Sequence, residues 1–281
     1  MKRLKCLIVL SCLFITLISC KNHETKTNVE NQELETTEQK IVAKFSNKGH
    51  EFVFNMVQNV GNYKTLAQKK DVIYTYTYRT PDGKEDISTE KYIFKNELSY
   101  GAYQKHERTL PELEGLMEQG YDGETYWLKH NNQLVEDDKM LERVAFNRPT
   151  NYYWFTMMQK LLDPNLIYKH VGTTIIDKTP YEVVAVTFES DTNHPKDTYQ
   201  LYINKKTNLV DQFLFTVVDY NKTEPFLMVL EYETVDGILI PTKRKYKASN
   251  WNADVTDEPW ITVNWTNITF NNGLSKDVFK P

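Results

Sequence analysis

Thr198-Tyr199-Gln200-Leu201-Tyr202-Ile203-Asn204, Lys205-Lys206-Thr207-Asn208, then Leu209-Val210-Asp211-Gln212-Phe213-Leu214-Phe215: the reading of this stretch decides the fold. Two runs rich in β-branched and aromatic residues flank a short polar segment with turn chemistry. So short a link cannot carry the crossover that parallel strands need, so the runs pair antiparallel. The same pattern fills the chain from Leu166 onward. Strands are expected at 166–171, 181–189, 198–204, 209–219, 226–234, 238–248 and 260–270, with Asp236-Gly237 as a second turn signal. Sequential strands with short polar links form an antiparallel meander.

Upstream, Val72-Ile73-Tyr74-Thr75-Tyr76-Thr77-Tyr78 is a strand, Pro81-Asp82-Gly83 a turn, and 89–94 the return strand of a hairpin. A third strand at about 97–104 extends it, and Tyr121-Asp122-Gly123 turns into another. Helical spacing appears in two places. One is 38–45 followed by 51–60, where Phe52, Met56, Val57 and Val60 recur before a Gly61-Asn62 stop. The other is 137–162, with Met140, Leu141 and Val144 ahead of Arg148-Pro149 and the aromatic run Tyr152-Tyr153-Trp154-Phe155 behind it. Proline removes an amide donor and disfavours helical angles in its predecessor, so two short helices meeting at a bend are expected here. The fold class is α+β: a curved antiparallel sheet, a half-barrel, with a few helices covering its concave face.

The N-terminus has a different character. Met1-Lys2-Arg3-Leu4-Lys5 is basic, and Cys6 to Ile18 is an apolar run of 13 residues. That is shorter than the about 20 residues needed to span a bilayer, so 1–19 reads as a cleaved signal peptide. Residues 20–36 are nearly all Asn, Thr, Glu and Lys and cannot bury enough surface to offset their entropy, so they read as a flexible tether. A single domain of about 240 residues, 37–281, follows without linker or repeat. Removing the signal takes the net charge from -4 to about -7 and leaves Cys20 as the one cysteine, so no internal disulfide is expected. An acidic body without long basic runs is a poor nucleic-acid binder. The group Lys243-Arg244-Lys245 reads as a solvated strand face.

Leu17-Ile18-Ser19-Cys20 resembles the lipobox of bacterial lipoproteins, which implies lipid on Cys20 and attachment to a membrane. Tyr121-Asp122-Gly123-Glu124-Thr125-Tyr126-Trp127, the 201–210 segment and the ending from Ile268-Thr269-Phe270 to Phe279-Lys280-Pro281 are similar to the recurring segments of the lipoprotein-localisation superfamily, whose members are LolA-like, LolB-like and LppX-like proteins. The resemblance implies an unclosed β-barrel with a helical lid over an apolar cavity for acyl chains. Cys20 implies a fixed anchor in place of a soluble shuttle, and no segment matches the receptor's membrane-inserting loop. Within the family an aspartate after the lipidated cysteine retains a lipoprotein in the inner membrane. Lys21 stands there, so the outer membrane is expected, and the single acid in Lys21-Asn22-His23-Glu24 points to its periplasmic side.

The sequence lacks the nucleophile elbow, phosphate loop and zinc-helix motifs. His50-Glu51 and His106-Glu107 have no second histidine at the required spacing, and Asp137-Asp138 suits a helix start. No catalytic set, metal site or cofactor is expected. Candidate ligand-binding residues are Trp127, Tyr152, Trp154, Phe155, Met158 and Leu161, because an aromatic and Met-rich helix adapts to irregular apolar ligands. The same residues also fit a helix simply packed into a core. Three functions therefore stand open: binding a lipid or other apolar ligand, which is the reading adopted, an envelope interaction module with a filled core, and an enzyme whose site is too dispersed to see in the sequence.

Overall fold

Each strand expected from Leu166 onward is present, and each pairs antiparallel with its neighbour in sequence. The computed structural model describes residues 45–189, 196–220 and 222–281. Residues 1–19, Cys20, the 20–36 segment, His23, His194 and nearly all of the helix expected at 38–45 lie outside them. Phe45–Pro281 makes one compact unit.

Among the described residues, thirteen strands form one sheet: β1 (Asp71–Arg79), β2 (Glu85–Ile93), β3 (Leu98–His106), β4 (Met117–Tyr121), β5 (Tyr126–His130), β6 (Gln133–Leu134), β7 (Leu166–Ile176), β8 (Thr179–Phe188), β9 (Thr198–Asn204), β10 (Val210–Val217), β11 (Lys222–Val235), β12 (Ile238–Ala248) and β13 (Ile261–Phe270). Their spatial order is β6-β5-β4-β3-β2-β1-β13-β12-β11-β10-β9-β8-β7. Two meanders, β1 to β6 and β7 to β13, are thus joined along the long-range pair β1 and β13, with Tyr76 opposite Trp265 and Tyr78 opposite Val263. Strands β6 and β7 are left as the two edges, so the sheet does not close.

Among the described residues, three α-helices, α1 (Lys48–Val60), α2 (Tyr63–Ala67) and α3 (Asp138–Lys160), lie against one face of this sheet. Asn47 caps α1 by accepting from the His50 amide, and its Nδ2 donates to the Tyr168 carbonyl at 2.8 Å, which ties the helix start to β7. Along α3, Val144 packs against β3 to β5. Tyr152 and Phe155 pack against β1, β2 and β13, and Met157, Met158 and Leu161 against α1 and β8 to β10. One helix touching successive strands along its length requires the sheet to bend around it, and this produces the half-barrel.

The expected break at Pro149 does not occur, and α3 runs continuously through it. Two features of the site explain this. Pro149 is exposed on the outer side of α3, the side on which a carbonyl deprived of its amide partner can be satisfied by solvent. Its neighbour Arg148 is held from both ends: Nη1 and Nη2 donate to Glu90 at 2.9 and 3.3 Å, and Ser99 Oγ donates to its carbonyl at 3.5 Å. Tertiary anchoring outweighs the local preference.

The convex face is covered at both ends. The C-terminal segment packs Leu274, Val278 and Phe279 on Leu98, Tyr100 and Trp127, and the connection between β12 and β13 lays Ala253 and Trp260 against Tyr181, Tyr202 and Leu214.

Candidate ligand-binding site

Strand alternation sends Tyr74, Tyr76 and Tyr78 of β1 to the concave side together. Tyr74 stacks on Phe155 and its hydroxyl bonds Tyr92 at 2.9 Å, whereas Tyr76 and Tyr78 sit nearer the far end of the strand, where α3 and the sheet separate. There they border a cavity of about 430 Å³. Its sheet wall is aromatic and aliphatic: Phe215 from β10, Phe226 and Met228 from β11, Tyr246 from β12, Val263 and Trp265 from β13. Its helix wall is one stripe of α3, Arg143, Phe146, Asn147, Thr150, Asn151 and Trp154, at the three- and four-residue spacing of a single helical face. Tyr220, 44% exposed, and Lys222 mark a side open to solvent. The volume lies within the roughly 300–1,000 Å³ of small-molecule pockets.

The charges around this space are one-sided. Arg108, Arg143, Lys222 and Arg244 line it, and among the described residues no Asp, Glu, His, Cys or Ser does. Arg108 lies over the Tyr78 ring at 4.0 Å with Nε 3.3 Å from Asp86, a fully buried carboxylate that also accepts from Thr109 Oγ1 and two backbone amides. Arg143 donates to the Tyr220 hydroxyl and has no carboxylate within 4.0 Å among the described residues. Arg244 is only 3% exposed. Its Nη2 donates to the Trp154 carbonyl at 2.7 Å, its Nε to the Pro241 carbonyl at 3.2 Å, and its guanidinium stacks 4.0 Å from the Trp265 ring centre. Nη1 has no partner among the described residues. Burial without an opposing carboxylate pushes Arg244 down to about 9, so it remains a cation at neutral pH. Burial likewise holds the Tyr76 phenol well above its ordinary value, so it offers a neutral hydroxyl.

The candidate residues read from the sequence separate in space. Trp154 lines the cavity. Tyr152 and Phe155 pack beside it against β1 and β2, with the Tyr152 hydroxyl 2.7 Å from that of Tyr63. Met158 and Leu161 lie under α1 in the neighbouring core. Trp127 is on the convex face, where its indole donates to the Phe279 carbonyl at 2.7 Å. Cys20 lies outside the described residues.

Sequence reading missed the arginines, and in one case misplaced one. Lys243-Arg244-Lys245 is not a uniformly solvated face: Lys243 and Lys245 are exposed, whereas Arg244 points inward with Thr242 and Ile240. The signal was present in the period-two alternation of β12, which puts Arg244 on the face of its apolar neighbours.

No protein-family model matches the chain, and no curated protein matches it by sequence. Similar solved structures include a DUF1329 family protein from Desulfovibrio piger, at 13% identity over 83% of this chain and 95% of that one, with a TM-score of 0.50. A putative outer membrane lipoprotein-sorting protein domain from Vibrio parahaemolyticus aligns at 9% identity over 83% and 96% of the two chains, with a TM-score of 0.47. A LolA superfamily protein from Nitrosomonas europaea aligns at 12% over 78% and 98%, with a TM-score of 0.46. The unclosed antiparallel half-barrel with helices on its concave face, which the resemblance read from the sequence implied, is therefore the fold of this chain, shared with the Desulfovibrio piger protein.

Proposed function

We propose that this chain is an envelope lipoprotein, held by lipid on Cys20 at the periplasmic side of the outer membrane, that binds a lipid or another apolar molecule without covalent chemistry. The observation that supports it is the cavity of about 430 Å³ between α3 and the concave sheet face, walled by Trp154, Phe215, Phe226, Tyr246 and Trp265. A filled core would leave no such space, so the cavity favours ligand binding over a purely interacting module. Among the described residues no helix is long and apolar enough to cross a membrane, which suits attachment through the N-terminus.

Native mass spectrometry of the protein prepared without detergent tests ligand binding. Retained adducts of lipid mass, lost when Thr150→Trp fills the helix side of the cavity, support the reading; protein that is repeatedly empty after exposure to envelope lipid extracts counts against it. Fractionation of a Cys20→Ala variant tests the anchor separately. Release of the body from membranes is expected, and a variant that stays bound refutes the lipobox assignment.

A further inference from the structure

Among the buried cations of this fold, Arg244 stands apart. Arg148 is matched by Glu90, Arg108 lies beside Asp86, and Lys247 donates to the carbonyls of Thr256 and Glu258. Arg244 has two backbone carbonyls, two indole faces and no carboxylate within 4.0 Å among the described residues. A guanidinium has five N–H donors, and those on Nη1 are unmatched among the described residues. Keeping a cation so deeply buried without a counter-ion is strongly unfavourable. An oxyanion entering the cavity would complete it. Its surroundings agree, because Arg143 and Lys222 line the same cavity with no carboxylate within 4.0 Å of either among the described residues, while Arg108, beside Asp86, completes the basic border.

We propose that the cavity takes an amphiphile with an oxyanion head, a carboxylate or a phosphate, whose charged oxygens meet Arg244 while its chain lies along the aromatic sheet wall. The inference rests on the lipid-binding reading and deepens it by naming the head group. Stacking on Trp265 and the bonds to Trp154 and Pro241 fix the guanidinium plane beside the cavity, and the buried Nη1 donors are the ones an oxyanion would complete. Arg143, half-buried on the helix wall, strengthens the positive field.

The test is isothermal titration calorimetry on the full chain carrying Cys20→Ala. Oleate and 1-oleoyl lysophosphatidate are compared with monoolein, a neutral amphiphile with the same chain, and with acetate and inorganic phosphate. At least one anionic amphiphile is expected to bind ten-fold or more tightly than monoolein. Preference for oleate assigns a carboxylate head and preference for lysophosphatidate a phosphate. Arg244→Met should abolish the preference for the anionic amphiphile over monoolein, and Arg143→Met should weaken it in a variant whose core is untouched. If monoolein binds as tightly as both anions, the head-group inference falls and the apolar cavity stands. If no amphiphile binds, the lipid-binding reading itself falls. If acetate or phosphate alone binds as tightly as the amphiphiles, the site is a plain anion site and the proposal is overturned.

Discussion

Replacing Arg148 by methionine should destabilise this protein more than any single change to its surface, and the structure indicates by how much. Arg148 and Glu90 are both completely buried, and the guanidinium makes two bonds to the carboxylate and a third, at 3.2 Å, to the Tyr103 hydroxyl. Methionine fills most of the vacated volume, so the loss is electrostatic. Glu90 keeps only Ser88 Oγ at 2.7 Å and Tyr92 OH at 3.0 Å as donors. Stranding a buried charge in this way costs about 3–5 kcal/mol. For a domain of this size that corresponds to a fall in Tm of roughly 10 °C. Removing both charges in Glu90→Gln with Arg148→Met should recover most of the loss, to within about 1–2 kcal/mol of the parent, because apolar or neutral replacements of buried pairs are often nearly neutral. Urea unfolding of the parent, both single variants and the double variant measures the coupling directly. A cost below about 1 kcal/mol for Arg148→Met, or a double variant no more stable than that single one, would refute the reasoning.

Three further outcomes are expected. Gly120 faces Trp127 across β4 and β5, and an added Cβ would overlap the indole, so Gly120→Ala should cost about 1–3 kcal/mol and perturb tryptophan emission as the bond to the Phe279 carbonyl is lost; unchanged emission contradicts this. Asp71, buried at the start of β1, accepts from the amides of Asn272, Gly273 and Leu274, so Asp71→Ala should cost about 1–3 kcal/mol and expose the C-terminal segment to limited proteolysis. A tail as protected as in the parent argues against that tether. Thr150→Trp, on the helix wall of the cavity, should leave Tm within about 2 °C yet abolish retained ligand; undiminished retention in a folded variant would place the ligand elsewhere.

Period and turn chemistry made the meander legible, because both are local: the strand runs, the Asn204 to Asn208 turn and the helical stripe of α1 are all written within a few residues. The pairing of β1 with β13 was not legible. It joins Tyr76 to Trp265 across about two thirds of the chain, and nothing in either strand alone names its partner. Pro149 misled for the opposite reason: its local rule is sound, but Glu90, some 58 residues away, holds the neighbouring arginine in the helix. The cavity depends on still more distant coincidence. Trp154 was visible as an aromatic on a helix, whereas its companions come from five strands, and Trp127, equally aromatic, lies on the other face.

The two buried arginines show how one residue type serves two roles in a single fold. Arg148 on α3 reaches down to the sheet and meets Glu90 beneath Gly101, where an added Cβ would sit 2.6 Å from its Nη1 and 2.7 Å from the carboxylate. That closed pair fixes the middle of the helix above β2 and β3, and thereby the height of the stripe from Arg143 to Trp154 above the sheet. Arg244 on β12 reaches the other way and holds α3 through the Trp154 carbonyl, with no carboxylate beneath it. If the first arginine sets the separation of helix and sheet and the second reads what enters the gap, loosening the first should weaken every ligand alike. Removing the second should weaken anionic ligands alone. Titrating oleate and monoolein into Arg148→Met and Arg244→Met separates these roles, and equal losses for both ligands in both variants would show that Arg244 acts only as another clamp on the helix.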